Sequence, residues 1–204
     1  FFIYGTLPFE KQIMSSLSDT SKVVNVIDGI DSNLLLKSTH GEDTTEAIDP
    51  HVWFSLDIMP MIAENIKNKL IAKYPNKKDQ FEANYTKFIN EISAFKTKID
   101  KDLNSKSNKS FIIYHPALNY FLKDRDLFQI EVEQDGKEPS AKYIQTIIDV
   151  ARSKNIKTIL VQPQFPKQSA EAISNEIKGS KVIPFNVLEE NIFENLQKFV
   201  NDLN

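Results

Sequence analysis

Cysteine is absent from all 204 residues, which excludes thiolate metal sites, disulfides and thiol redox chemistry. Glycine is scarce, at five, and the five do not cluster into a loop that could cradle phosphate. No apolar run approaches the ~20 residues of a membrane span. A basic excess is missing too: the formal net charge is -3, so no overall field is present to hold nucleic acid. The chain has no His-Glu-x-x-His, Gly-x-Ser-x-Gly or Walker pattern. A zinc hydrolase therefore has no motif to place its general base. Asp49 near His51 and Glu131 beyond His115 invite an acid–base reading, but their spacing does not separate them from ordinary surface charge.

A hydrophobic fraction of 41% is enough for a packed core. The chain opens on Phe1-Phe2-Ile3-Tyr4-Gly5, a buried-strand pattern, and the expectation is that further sequence precedes it. A short helix is expected over 10–17 and a second strand over Val23 to Ile27. Residues 31–48 read as a long polar loop holding His40 beside Glu42 and Asp43.

After Trp53 the apolar period becomes helical. Ile58, Met61, Ile62, Ile66 and Leu70 mark one helix, and Pro60 confines its start to Ser55 or Asp57. Phe81, Tyr85, Phe88, Ile92, Phe95, Ile99 and Leu103 then mark a helix from about Lys78 to Leu103 without Pro or Gly. At 1.5 Å per residue it runs ~40 Å, as a strut between lobes or as an ordinary packing helix. From Ser110 onward, strands at 111–114, 128–132, 158–161 and 182–185 alternate with helices. That alternation predicts an α/β fold with a mostly parallel sheet covered on both faces. The expected organisation is 1–76 as the remainder of an N-terminal lobe, 77–104 as a linking helix and 105–204 as a C-terminal α/β lobe.

Ligands of open parallel sheets gather beyond the carboxyl ends of the strands. Those ends deliver His115, Gln162 and Asn186 to one edge of the C-terminal sheet. A second candidate is Asp49-Pro50-His51-Val52-Trp53, where Pro50 stiffens the backbone before His51 and Trp53 anchors it. A rigid imidazole suits zinc, which takes His nitrogen at ~2.0–2.1 Å. His40 reads as a solvated loop residue.

Asp49-Pro50-His51-Val52-Trp53, the run Tyr114-His115-Pro116-Ala117-Leu118-Asn119-Tyr120-Phe121 and Gln162-Pro163-Gln164-Phe165 resemble the zinc and manganese solute-binding proteins of ABC importers, the cluster A-I group of ZnuA and TroA types. The resemblance spans essentially the whole chain. It implies two α/β lobes joined by a long rigid helix, with the N-terminal lobe incomplete here and metal held between the lobes. It makes His51 and His115 metal ligands, with Asn186, Gln162 and His40 as secondary candidates, and places the group's first ligand histidine ahead of residue 1. Gln162 departs from the group's frequent glutamate and Asn186 from its frequent aspartate. Histidine at 115, where manganese binders usually carry a carboxylate, favours zinc over manganese.

The implied role is an extracytoplasmic, non-enzymatic metal carrier in the periplasm or lipid-anchored at the cell surface. Its partners would be the membrane permease of the importer and any metal-donating protein. It would touch the membrane only through an anchor or the permease, and would bind no nucleic acid. The alternative is a surface adhesion or structural domain on the same fold, with metal binding reduced or lost.

Overall fold

The computed structural model describes residues 1–38, 47–123, 125–134 and 136–203. The chain divides into two compact units, 1–96 and 97–204.

In the first unit, β1 (Phe2–Ile3) pairs in parallel with β2 (Val24–Asn25), with Phe2 opposite Val24. Between them α1 (Pro8–Ser16) starts with a proline, whose missing N–H costs nothing in a first turn. Glu10 reaches back from that turn to accept the Tyr4 N–H at 2.8 Å and the Leu7 N–H at 3.1 Å. Gly5 turns the chain out of β1 at φ +74°, where a Cβ would lie 2.6 Å from the Asn25 amide nitrogen. Only glycine meets both conditions there.

The polar stretch is bounded by an antiparallel bridge between Lys37 and Ile48. A single 3-10 turn, Val52–Phe54, follows, with Val52 and Phe54 fully buried. The next helix, α2 (Met59–Lys73), begins later than the expected Ser55 or Asp57. The Ser55 hydroxyl instead accepts the Ile58 N–H at 3.1 Å and closes a turn before the helix. Asn65 of α2 donates to the carbonyls of Val26 and Asp28, both at 2.9 Å, and pins the exit of β2. The long helix α3 (Lys78–Asn104) has 27 residues, and the boundary between units falls within it.

The second unit is built on a sheet in the order β4-β3-β5-β6. Its strands are β3 (Ser110–Ile113), β4 (Phe128–Glu131), β5 (Thr158–Val161) and β6 (Lys181–Pro184). All three pairings are parallel, as the alternation predicted. Helices α4 (Asn119–Leu122), α5 (Ala141–Ser153), α6 (Gln168–Glu176) and α7 (Ile192–Asp202) complete it.

Side chains alternate along each strand, so the sheet has two cores. Ile112, Tyr114, Ile159 and Val161 pack with Ile147, Ile148 and Ala151 of α5 and with Ala170 and Ile173 of α6. On the other face Phe199 of α7 meets Phe111, Phe121 and Phe185 at centroid distances of 4.8, 6.2 and 6.1 Å. Two helix starts carry side-chain caps: Ser140 accepts the Tyr143 N–H, and Asn191 accepts the Glu194 N–H.

Candidate metal centre

His51 ends the segment that leaves the bridge at Ile48 and immediately precedes the 3-10 turn. One oxygen of Asp49 lies 2.9 Å from the His51 N–H and 2.8 Å from Nδ1 of its ring. Asp49 is only 3% exposed and His51 is buried. Pro50 stands between them, so the two groups that share the oxygen sit on a backbone with little freedom. Trp53 meets the His51 ring edge-on at 5.4 Å, and Tyr4 meets Trp53 at the same distance. Burial, and then the nearby Glu10 carboxylate, push the Tyr4 phenol above its ordinary value. It therefore stays neutral in this aromatic wall.

In the second unit His115 stands two residues past the end of β3. Its Nδ1 lies 2.7 Å from Glu133 Oε1. Glu133 is 3% exposed, whereas the His115 side chain keeps 27%. Phe165 stacks on the imidazole at 5.5 Å with 24° between the planes, and on Tyr114 at 4.9 Å. Gln162, which directly follows β5, is fully buried. Its amide donates to the His115 carbonyl and accepts the His115 N–H.

A carboxylate only accepts hydrogen bonds, so each Nδ1 is the donor in these pairs. The neutral imidazole then carries its lone pair on Nε2, the atom that binds a metal in a histidine oriented by a carboxylate. Both histidines thus have the same chemical setting, one in each unit.

The other candidates behave differently. Asn186 lies two residues past β6, and its Oδ1 accepts the Leu188 N–H at 3.1 Å while its amide donates to Glu189. Gln162 spends its amide on the His115 main chain. His40 lies outside the described residues. Among the described residues, no group of three or more His, Asp or Glu side chains stands together as a ready cage within either unit. Glu133 was not singled out by the sequence. It follows a strand and precedes a turn, where an acidic residue ordinarily faces solvent.

The chain is thus a two-unit α/β protein in which each unit presents one carboxylate-held histidine. The profile of the periplasmic component A of zinc-uptake complexes (ZnuA) matches residues 1–202, and the chain belongs to that family. The zinc-binding protein AdcA of Streptococcus pyogenes serotype M6 is 29% identical over 197 residues, 84% of this chain. The zinc-binding lipoprotein AdcA of Streptococcus pneumoniae serotype 4 is 31% identical over 153 residues, 74% of this chain. The chain spans 38% and 30% of the lengths of these two relatives. A crystal structure of ZnuA superposes with a TM-score of 0.84 at 28% identity, covering 97% of this chain and 76% of that one.

Proposed function

We propose that the chain is the metal-holding part of an extracytoplasmic binding protein that delivers zinc to the membrane permease of an ABC importer. One observation carries this reading: His51 and His115 each have Nδ1 held by a nearly buried carboxylate, the arrangement that presents Nε2 to a metal. Imidazole nitrogen suits zinc better than it suits manganese, which prefers oxygen. Each histidine is, in this reading, a zinc ligand presented by its own unit. Zinc sites take three or four ligands, so a single imidazole needs further donors. Within this chain His40 is a secondary candidate for a further donor. Zinc-binding names among the relatives support the choice of ion, and the family's periplasmic description supports the location.

Delivery requires reversible binding and no bond chemistry, so the protein acts as a carrier and not as an enzyme. Among the described residues both histidines keep their supporting carboxylates, which favours metal holding over an adhesion role that has lost its metal. Calorimetric titration of the full-length protein with zinc and with manganese tests the proposal. Tight zinc binding that weakens in both His51→Ala and His115→Ala is the expected result. Zinc binding indifferent to both substitutions would exclude these residues as the site.

A further inference from the structure

Glu133 is a buried acid at a place where the chain could easily have left it in water. It lies two residues beyond β4, and its main-chain N–H donates to the Tyr114 carbonyl at 3.1 Å. The residue before it, Val132, donates to the Ile113 carbonyl at 2.9 Å. Strand pairing therefore continues past the end of β4 and carries Glu133 alongside the residue that precedes His115. Immediately afterwards the chain reverses. Gln134 and Lys137 exchange both main-chain hydrogen bonds, at 3.1 and 2.9 Å, with Gly136 at φ +74°. The backbone that bears Glu133 is thus fixed on both sides.

Burying a carboxylate is costly unless it is hydrogen-bonded and electrostatically compensated. In the uncharged form that binds a metal, the His115 ring supplies a hydrogen bond but no opposing charge. A divalent cation on the far side of the same ring would supply that charge. Phe165 stacked on the imidazole restricts rotation of its plane, and Gln162 grips the main chain of His115. Tautomer, ring plane and backbone are therefore each set by a different residue.

From this we infer that Glu133 is a positioning residue for metal binding. It holds His115 in the Nδ1–H tautomer, aims Nε2 at the ion and contributes negative charge that raises affinity for a divalent cation. This deepens the proposed zinc-binding role and rests on it for the identity of the ion. Glu133 does not itself bind the metal. Loss of such a supporting partner typically costs ~10–100-fold in metal affinity.

The test combines two readouts on the full-length protein. Long-range proton–nitrogen correlation spectra of metal-free, 15N-histidine-labelled protein report the His115 tautomer. Competition against a chromophoric chelator reports zinc affinity. The wild type should show Nδ1–H at His115, and Glu133→Gln should lose that preference and bind zinc ~10–100-fold more weakly. Glu133→Asp keeps the charge but shortens the reach, and should fall between the two. If Glu133→Gln fails to fold, the wild-type tautomer and the aspartate variant decide the matter. His115 chiefly as the Nε2–H tautomer in the wild type would overturn the inference. So would wild-type zinc affinity in a folded Glu133→Gln or Glu133→Asp protein with a changed tautomer. A Glu133-dependent Nδ1–H tautomer in a wild type that binds no zinc would sink the functional reading while upholding the positioning of His115.

Discussion

Gln162 and His115 hold each other across adjacent parallel strands: the Gln162 amide donates to the His115 carbonyl at 2.6 Å, and its oxygen accepts the His115 N–H at 3.2 Å. Because Ala117 also donates to that carbonyl at 2.8 Å, removal of the amide strands mainly the N–H. Gln162→Ala should therefore cost about 1–3 kcal/mol in denaturant unfolding. Gln162→Glu should cost more, about 3 kcal/mol or above, because a buried carboxylate would face the His115 carbonyl without a proton to offer. Equal stability of the glutamate variant and the wild type would show that the amide donor is dispensable. The result bears on the resemblance, since glutamate is frequent at this position in the group.

Trp53 is the single tryptophan of the chain, and it touches the His51 ring edge-on. Its fluorescence therefore reports on the cluster that His51, Tyr4 and Phe54 make around the indole. Zinc added to the full-length protein should change the intensity or position of Trp53 emission, and His51→Ala should abolish the change. A calorimetrically binding wild type with silent Trp53 emission would argue against His51 as a ligand.

How much of this was legible beforehand varies with the residue. The four parallel strands were readable because each is a short β-branched or aromatic run followed by a helix. His115 and Gln162 were readable because strand ends select the residues that follow them. The start of α2 was misjudged because Ser55 has the chemistry of a helix cap but uses it to close a turn. Glu133 was hidden for a stronger reason. Its burial comes from strand pairing that extends past β4, and local polarity around Glu131, Glu133 and Gln134 gives no periodic signal of that. Only the three-dimensional register beside Tyr114 reveals it.

The Tyr143 hydroxyl donates to the Glu131 carbonyl at 3.1 Å. Burial first, and the Glu131 charge second, hold its phenol above the ordinary value of 10.0. For such a group the unfolded chain ionises first as pH rises. The stabilising contribution is thus full below pH ~10 and is lost progressively as pH climbs toward the folded value. Denaturation midpoints measured across that alkaline range should fall with pH, and Tyr143→Phe should flatten part of the fall. An identical slope in the variant would mean that Tyr143 ionises equally in both states.

Metal choice gives the sharpest test of the ligand assignment. At His115 the ion would meet a nitrogen whose lone pair is set by Glu133, and Asn186, whose amide is engaged with Leu188 and Glu189, brings no anionic oxygen. Imidazole donors completed to four by water make a neutral, tetrahedral environment that zinc accepts, whereas manganese favours oxygen donors in octahedral surroundings. A bare preference for zinc would decide little, because zinc binds more tightly than manganese at almost any nitrogen-containing site. His115→Glu changes the donor type. It should weaken zinc binding and narrow the zinc-over-manganese margin. The glutamate would also sit beside the Glu133 carboxylate, adding repulsion in the metal-free protein that a bound cation relieves. His115→Gln separates these effects, since it removes the imidazole without adding charge, and it should weaken both metals. Zinc affinity unchanged in both variants would mean that His115 is not a ligand, and the assignment would have to be abandoned.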